Sequence, residues 1–394
     1  MTTALAARKS HFFLLGFLTS IFLVNFLARV VMAPLMPVIE QDLGLGHTAA
    51  GVLFMMMAMG YAAGLIGSGV LSARIGHRRT VALAAMACGS ALFLIAASHT
   101  LWMIRLGLFL IGVSTGIYLP SGITTITAAF PPARWGRALS VHELAPSLSF
   151  IAAPLVAEAL LVWFPWQGVV LLIGSVSVLL GLFFFRTVPA SDLKGEAPSF
   201  GAIRLLFGRP AIWIMGGLFS LAITATVGIY SMLPLYLVTE RGIDRSLANT
   251  LLGISRIPVL PMALVSGWIA DRIGPKRTIS AVLLFNGLTT VLLGILPGQW
   301  VILTVFLQPL LTVCFFPSGF SILSRIVPPQ MRNLSVSLAI FIAYVTGGGL
   351  FPIVLGAFGD AGLFGLAFIL TGGITVCALP LIRRLDLTEI RQND

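Results

Sequence analysis

Apolar residues run along this chain in long stretches, and apolar and polar positions do not alternate within them. Each stretch is long enough to cross a hydrocarbon core of about 30 Å as a helix that rises about 1.5 Å per residue. Backbone groups inside lipid must be satisfied within helices or in a closed barrel of strands, so the pattern predicts an all-α membrane protein. The twelve predicted helices, numbered in chain order, lie at residues 11–39, 48–72, 79–98, 101–129, 138–162, 166–186, 211–238, 246–271, 277–297, 300–325, 334–358 and 362–382.

Basic residues cluster between these helices. Of the 24 Lys and Arg residues, nineteen lie at the N-terminus, in even-numbered loops or at the C-terminus, and only Arg241 and Arg245 lie in odd-numbered loops. The positive-inside rule then places both termini in the cytoplasm. We expect a multi-pass protein of a bacterial-type inner (plasma) membrane, in contact with the lipid bilayer.

Composition supports this assignment and disfavours several classes of function. The 394 residues are 58% hydrophobic and 9% charged, against about 25% charged in a soluble domain. The net charge of +11 follows from topology, so we expect no nucleic-acid partner. Cys88, Cys314 and Cys377 lie in apolar helices without metal-ligand spacing, and no phosphate-binding loop occurs. We expect a monomer that is not an enzyme and has no cofactor and no metal site.

Three pairs of segments recur along the chain at offsets of 198, 197 and 200 residues. Matches that keep their order and register indicate an internal duplication. We predict two parallel six-helix bundles, 1–187 and 211–394, joined by a cytoplasmic linker at 188–210. Such bundles hold a substrate site at their interface, near the membrane midplane. The pairs are SGVLSARIGHRRT (68–80) with SGWIADRIGPKRT (266–278), YLPSGITTITAAFPP (118–132) with FFPSGFSILSRIVPP (315–329), and MAPLMPVIE (32–40) with MLPLYLVTE (232–240).

The duplicated basic loop resembles the signature G-x-L-x-D-R-x-G-x-[RK]-[RK] of the major facilitator superfamily. The second copy departs from it only at the Leu position, whereas the first copy has Ala73 in place of the Asp. The resemblance implies a transporter fold of two six-helix bundles, with a loop that helps to lock the cytoplasmic gate. The alternative is that these basic residues only anchor the topology. The gating candidates are Arg74, Arg78, Asp271, Arg272 and Lys276.

Two arginines inside predicted helices are the main candidates for substrate binding. Arg29 lies on helix 1 and Arg256 on helix 8, and a charge within a membrane span is a functional hypothesis by default. Helices 1, 2, 7, 8, 10 and 11 carry no acidic residue at their centres. A guanidinium binds oxyanions with a two-pronged fork, so we predict that the two arginines clamp a small anion. Alternatively, each caps backbone carbonyls or pairs with Glu158 of helix 5.

The family resemblance extends to the segment NFLAR, Asn25 to Arg29, because anion-carrying members often have N-[YF]-x-x-R on helix 1. It implies that Asn25 and Arg29 contribute to an anion site. Four tyrosines inside helices either line the cavity or bridge helices: Tyr61, Tyr118, Tyr230 and Tyr344. TGGGLFP, 346–352, is expected to interrupt helix 11, and it has a faint likeness to the Gly-rich signature of nitrate carriers.

Coupling candidates lie on helix 5. His142 and Glu143 are adjacent protonatable groups, and His titrates near physiological pH. Glu158 is a third candidate. His142 and Glu143 could equally be gate residues that meet Arg134 or Arg137.

We therefore predict an alternating-access secondary transporter of a small organic anion, a carboxylate above all, with protons or a counter-anion as the coupling partner. The alternatives are a carrier of nitrate or nitrite and an exporter of drugs or metabolites. A transporter-like receptor is a further alternative, although a cytoplasmic signalling domain is missing from the sequence pattern.

Overall fold

The structure, a computed structural model, describes residues 2–98, 100–189, 194–195, 200–328 and 331–385. Side chains are described from residue 11 onward, except at positions 133, 200, 202, 203 and 333. Parts of the predicted linker, 190–193 and 196–199, lie outside the described residues, as does Arg391. The proposed boundaries of the bundles and linker therefore stay predictions.

Helices make up nearly all of the described chain. In the first half they span Thr2–Val30, Met32–Leu43, His47–Ile75, His77–Ala96, Leu101–Ala129, Trp135–His142, Leu144–Leu161 and Trp166–Thr187. In the second half they span Phe200–Phe207, Pro210–Ile223, Ile229–Thr239, Arg245–Ile254, Val259–Ile273, Pro275–Ile295, Trp300–Leu310, Phe315–Arg325, Arg332–Ala343, Phe351–Asp360, Phe364–Cys377 and Leu379–Arg383. Short 3₁₀ turns lie at Pro132–Arg134 and Thr312–Cys314, and π-helical segments at Thr224–Gly228 and Tyr344–Leu350.

These helices form twelve segments long and apolar enough to cross a membrane, which we call spans 1 to 12. Their ends differ from the predicted ends by at most four residues, so the predicted all-α fold with twelve transmembrane helices is confirmed. The spans are His11–Leu43, His47–Ile75, His77–Ala96, Leu101–Ala129, Trp135–Leu161, Trp166–Thr187, Pro210–Thr239, Arg245–Ile273, Pro275–Ile295, Trp300–Arg325, Leu334–Asp360 and Phe364–Arg383.

The chain divides into two compact units. The first unit comprises residues 1–32 and 56–198, and the second comprises residues 33–55 and 199–394. The second unit therefore contains the end of span 1 and the start of span 2, although these residues belong to the first half of the sequence. Each unit has its own core of Leu, Ile, Ala and aromatic side chains.

Within each unit, glycines allow two spans to pack closely. A Cβ at Gly89 of span 3 would clash with the carbonyl oxygen of Gly174 in span 6. A Cβ at Gly287 of span 9 would likewise lie 2.8 Å from the carbonyl oxygen of Gly372 in span 12. Small residues at such crossings let membrane helices approach closely, so the duplicated sequence has preserved the same packing in both units.

Five spans of the described chain are interrupted, and each interruption lies close to a proline. Proline has no N–H to donate to the carbonyl four residues earlier, so the helix is weakened there. Span 1 is interrupted at Val31 before Pro34, span 5 at Glu143 before Pro146, span 8 over the turn Ser255–Pro258, span 10 at 311–314 after Pro309, and span 12 at Ala378 before Pro380. The sequence pattern alone had indicated continuous helices at these places.

Candidate functional site

Arg29 lies at the end of a helix and rests on an aromatic ring. It is the penultimate residue of Thr2–Val30, and 7% of its surface is exposed. Its Cζ atom lies 4.0 Å from the centroid of the Tyr61 ring and 5.2 Å from that of Phe26. The ring faces and the partial negative charge at the helix C-terminus both stabilise a buried guanidinium.

Arg256 has a closely similar environment in the second unit. It lies in the interruption of span 8, just after helix Arg245–Ile254, and is 6% exposed. Its Cζ atom lies 5.0 Å from the centroid of the Tyr230 ring, and Tyr230 belongs to span 7. Each unit therefore contains one buried arginine at a helix interruption, with its guanidinium over a tyrosine ring.

The arginine and the tyrosine occupy opposite helices in the two Arg–Tyr pairs. In the first unit the arginine is on span 1 and the tyrosine on span 2, whereas in the second unit the tyrosine is on span 7 and the arginine on span 8. At the repeat offset of 200, Arg29 corresponds to Ile229, the residue before Tyr230. The two halves thus bring the same side-chain types together from opposite helices. A guanidinium is planar and presents its N–H donors as a fork that suits an oxyanion.

Asn25 lies one helical turn before Arg29, on the same face of span 1. It is 1% exposed, and neither its Oδ1 nor its Nδ2 atom has a hydrogen-bond partner among the described residues. A buried amide without partners costs about 1–3 kcal/mol for each group. A polar ligand that reached this position would recover that cost.

Tyr118, His142 and Glu143 form a connected polar group, which we call the Tyr–His–Glu trio. The Tyr118 hydroxyl donates to the carbonyl oxygen of Leu18 at 2.6 Å and lies 3.0 Å from His142 Nε2. His142 Nδ1 lies 3.3 Å from Glu143 Oε1. Tyr118 therefore bridges spans 1, 4 and 5. The predicted meeting of Glu143 with Arg134 or Arg137 is not among the ion pairs of the described residues.

Two predicted gate residues make contacts within their own half. The Arg78 guanidinium donates to the carbonyl oxygen of Phe185, at the end of span 6. The ammonium of Lys276, its repeat equivalent at an offset of 198, donates to the carbonyl oxygen of Leu385, which follows span 12. Both contacts tie the third helix of a bundle to the end of its sixth.

The other gate candidates are solvent- or lipid-accessible. Arg74 and Asp271 are exposed, and the Arg272 guanidinium lies 5.2 Å from the centroid of the Trp268 ring. Asp271 and Arg325 line a cavity of about 160 Å³. The gating role of all five residues stays a prediction.

The remaining predicted site residues are Tyr344 and Glu158. Tyr344 is 7% exposed and begins the π-helical segment Tyr344–Leu350. The glycines of TGGGLFP thus widen span 11 into a π-helix and do not end it. Glu158 is half-buried on span 5, three residues before the span ends at Leu161.

Sequence reasoning missed an acidic cluster in the second unit. Asp360, the last residue of span 11, accepts bonds from the N–H groups of His47 at 2.7 Å and Thr48 at 3.0 Å, and so caps the start of span 2. His47 Nδ1 in turn lies 2.9 Å from Glu40 Oε2. The signal available in the sequence was the recurrence of Glu40 and Glu240 at the end of a repeated segment. Glu240 caps span 12 by accepting from the N–H groups of Phe364 and Gly365.

Comparison with known protein families identifies the fold. The model of the Major Facilitator Superfamily matches residues 18–307 and 219–393. The chain also resembles a solved structure of a bacterial homologue of the human lysosomal transporter Spinster, in an inward-facing and occupied conformation. That likeness has a TM-score of 0.80 and 15% sequence identity, and covers 95% of this chain and 96% of the other.

Three curated relatives are transporters named for anions. The probable sulfoacetate transporter SauU of Cupriavidus necator is 23% identical, covering 78% of this chain and 77% of its own. The 4-hydroxybenzoate transporter PcaK of Pseudomonas aeruginosa is 25% identical, covering 91% and 88%. The probable nitrate transporter NarT of Staphylococcus aureus is 22% identical, covering 93% and 94%.

Proposed function

Because this chain belongs to the major facilitator superfamily, we propose that it is a secondary transporter that moves a small organic anion by alternating access. The expected substrate class is the carboxylates. Coupling is to protons or to a counter-anion. The membrane is the bacterial inner membrane, with both termini in the cytoplasm, as the distribution of basic residues predicts.

The observation that carries this proposal is the polar face of span 1. Arg29 is a buried cation over the Tyr61 ring, and the amide of Asn25, one turn earlier, is buried without a partner among the described residues. A carboxylate would accept from the guanidinium in two places and from the Asn25 Nδ2 group. Asn25 Oδ1 would then remain for a hydroxyl donor of the substrate.

Arg256 supports the same function from the second unit. Its guanidinium over Tyr230 is presented at an interrupted helix, as Arg29 is. Irregular backbone inside a membrane span is tolerated where it lines a cavity, and transporters of several folds place their substrate sites there. The relatives named for sulfoacetate and 4-hydroxybenzoate, both organic acids, fit a carboxylate substrate.

The test is uptake into liposomes that contain the purified protein. The labelled anions are sulfoacetate, 4-hydroxybenzoate, lactate, a dicarboxylate and nitrate. Arg29→Ala and Arg256→Ala should each weaken anion binding by about 10- to 100-fold, because a hydrogen bond to a charged group contributes about 1.5–3 kcal/mol. The matched control is Arg105→Ala, which removes another arginine of the spans, one whose Cζ atom lies 5.8 Å from the Trp102 ring.

Uptake that survives both substitutions, or an absence of uptake for every anion, would refute the proposal. Nitrate transport is the second candidate, favoured by the relative named for nitrate and by the glycine-rich segment of span 11. Uptake of nitrate alone, still abolished by the two substitutions, would keep the anion site and replace the substrate class.

A further inference from the structure

The Tyr118 hydroxyl determines which nitrogen of His142 carries a hydrogen. The carbonyl oxygen of Leu18 can only accept, so the single hydroxyl hydrogen of Tyr118 is directed to it across the 2.6 Å contact. The Tyr118 oxygen must then accept from His142 Nε2, 3.0 Å away. His142 therefore holds a hydrogen on Nε2 in both its neutral and its charged form.

The other ring nitrogen of His142, Nδ1, can donate a hydrogen bond to Glu143 only after it has gained one proton. In neutral His142, Nδ1 has a lone pair, and it lies 3.3 Å from Glu143 Oε1. A lone pair and a carboxylate oxygen are both acceptors, so they repel. When one proton is added to Nδ1, the imidazolium N–H donates to the Glu143 carboxylate and the contact becomes attractive. Uptake of one proton thus forms the hydrogen bond between His142 and Glu143, and release of that proton breaks it.

The surroundings of His142 are compatible with both the neutral imidazole and the imidazolium. The ring is fully buried, and it stacks on Phe22 with centroids 4.5 Å apart and planes 9° apart. Aromatic faces stabilise a cation above them. The groups that face the ring are the Phe22 ring and Leu18 carbonyl of span 1, the Tyr118 phenol of span 4 and Glu143 of its own span. The Glu143 side chain is 53% exposed, which gives the proton a route to the buried nitrogen.

Glu143 is also the residue at which span 5 is interrupted, between helices Trp135–His142 and Leu144–Leu161. A change in the His142–Glu143 contact therefore acts on a joint between two helices. Interrupted helices supply such joints because a few residues absorb the change in backbone angles.

One face of span 1 connects this site to the proposed anion site. Leu18, Phe22, Asn25 and Arg29 are spaced by four, three and four residues, so they form one stripe along helix Thr2–Val30. The first two contact the trio, and the last two are the proposed anion ligands. A proton and an anion would thus act on the same helix.

The second half of the sequence provides an internal comparison. The offset of 197, set by segments 118–132 and 315–329, pairs Tyr118 with Phe315. Continued along span 11, the same offset pairs His142 with Ala339 and Glu143 with Ile340, and span 11 contains no histidine or glutamate. Phe315 and Ala339 are fully buried. All three polar groups are replaced together by apolar ones, as expected of residues that act as a unit.

From these contacts we infer that His142 and Glu143 form the single-proton coupling site of the transporter, and that Tyr118 is the positioning residue that directs the proton to Nδ1. This inference rests on the proposed transport function. It makes the protein a symporter of one proton per cycle through this site, and it assigns Tyr118 to coupling and not to substrate binding.

The first test needs no substrate, because the proton is the probe. The protein labelled with ¹⁵N-histidine is titrated from about pH 5 to 8, the range in which imidazoles titrate, and His142→Gln identifies the His142 signals. Wild type should show Nε2–H at every pH and protonation at Nδ1. In Tyr118→Phe the neutral ring should become a mixture of the two tautomers. A neutral Nδ1–H form in wild type, or unchanged tautomers in Tyr118→Phe, would overturn the role of Tyr118.

The second test separates coupling from transport. With one proton per monovalent anion, a gradient of about one pH unit supports about tenfold accumulation. In Glu143→Gln the amide N–H can donate to neutral Nδ1 without an added proton, so proton-driven accumulation should be abolished. Counterflow, the exchange of labelled for unlabelled anion in the absence of a proton gradient, should be retained for an anion of the panel above. Tyr118→Phe should reduce accumulation and shift its pH profile. Tyr236→Phe is the matched control, since its buried hydroxyl also donates to a helix carbonyl, that of Leu293 at 2.6 Å, without a histidine.

The possible outcomes distinguish the two proposals. Counterflow with unchanged accumulation in Glu143→Gln would refute the coupling site and leave the transport function standing. An absence of counterflow in wild type for every anion would refute the proposed function, whereas the tautomer of His142 would still be decided by the titration. Equal losses of accumulation in Tyr236→Phe and Tyr118→Phe would show that loss of a buried hydroxyl is sufficient, and would overturn the positioning role.

Discussion

The two halves of this chain share a scaffold and differ in their chemistry. Arg78 and Lys276 hold the third helix of each bundle to the sixth, each through a backbone carbonyl near the end of that sixth helix. The glycine crossings of spans 3 with 6 and 9 with 12 are equivalent as well. By contrast, the Tyr–His–Glu trio of the first half corresponds to Phe315, Ala339 and Ile340 in the second.

This difference shows which constraints a duplicated membrane fold retains. Close helix packing tolerates little change, because added volume forces backbone shifts. A polar group inside a span is retained only where something satisfies it, since unsatisfied groups in lipid are costly. A buried cation occurs in each half, and a histidine fully buried within a span occurs, among the described residues, only in the first.

The largest effect is expected when the Tyr–His–Glu trio is replaced by the residues at the corresponding positions of the second half. The triple variant Tyr118→Phe, His142→Ala and Glu143→Ile should abolish proton-driven accumulation and leave an exchanger. The imidazole that takes up the proton and the carboxylate that bonds it are both removed. Uptake driven by a pH gradient is compared with counterflow in the same liposomes. Accumulation that persists in a folded triple variant would mean that the halves do not differ in coupling.

The Arg–Tyr pairs allow a finer comparison. Tyr61→Leu should weaken anion binding by about 3- to 30-fold, the equivalent of a cation–π contribution of about 0.5–2 kcal/mol. Tyr230→Leu should have a smaller effect, since the Arg256 guanidinium lies 5.0 Å from its ring and that of Arg29 lies 4.0 Å away. Binding is measured by competition with labelled anion, with Tyr→Phe at both positions as the control that keeps the ring. A larger effect at Tyr230 would reverse the ranking.

The π-helical segments distinguish spans 7 and 11 from spans 1 and 5. In the second unit, Gly347 packs against span 7, and a Cβ there would lie 2.7 Å from the backbone nitrogen of Thr224. Gly347→Ala should therefore destabilise the fold by about 1–3 kcal/mol, as overpacking does. The melting temperature in detergent is the measurement. Gly217→Ala, where a Cβ meets nothing within 4 Å, should leave it unchanged. Equal melting temperatures would argue against close packing of the two segments.

The smallest expected difference concerns Glu40 and Glu240. Glu240 accepts from two backbone N–H groups at the start of span 12, at 2.7 and 3.0 Å, whereas Glu40 contacts the His47 side chain. Glu240→Gln should lose about 0.5–2 kcal/mol of capping and helix-dipole stabilisation. Glu40→Gln should cost less, because its amide oxygen can still accept from His47. Thermal unfolding of both variants ranks them, and a greater loss for Glu40→Gln would contradict the assigned roles.

Much of this architecture is readable from local sequence. The twelve spans follow from the length of apolar runs, and the repeat from register, because both are properties of contiguous residues. The interruptions at Val31, Glu143 and Ser255–Pro258 were missed, although the prolines next to them were a usable signal. The cap that Asp360 provides for span 2 could not be predicted, since it joins positions more than 300 residues apart.

The linear pattern of residues is sufficient to establish the all-helical membrane class, the duplication, and which few ionisable residues lie inside spans. Hydrophobic length and charge placement decide these, and they act along the chain. The three-dimensional packing was needed to learn that each arginine lies over a tyrosine of a neighbouring span, and that Tyr118 contacts His142. The reason is geometric. A hydrogen bond or ring contact forms only when the two groups are positioned to within about an ångström, and the rotation of each helix, which packing between distant segments sets, determines those positions.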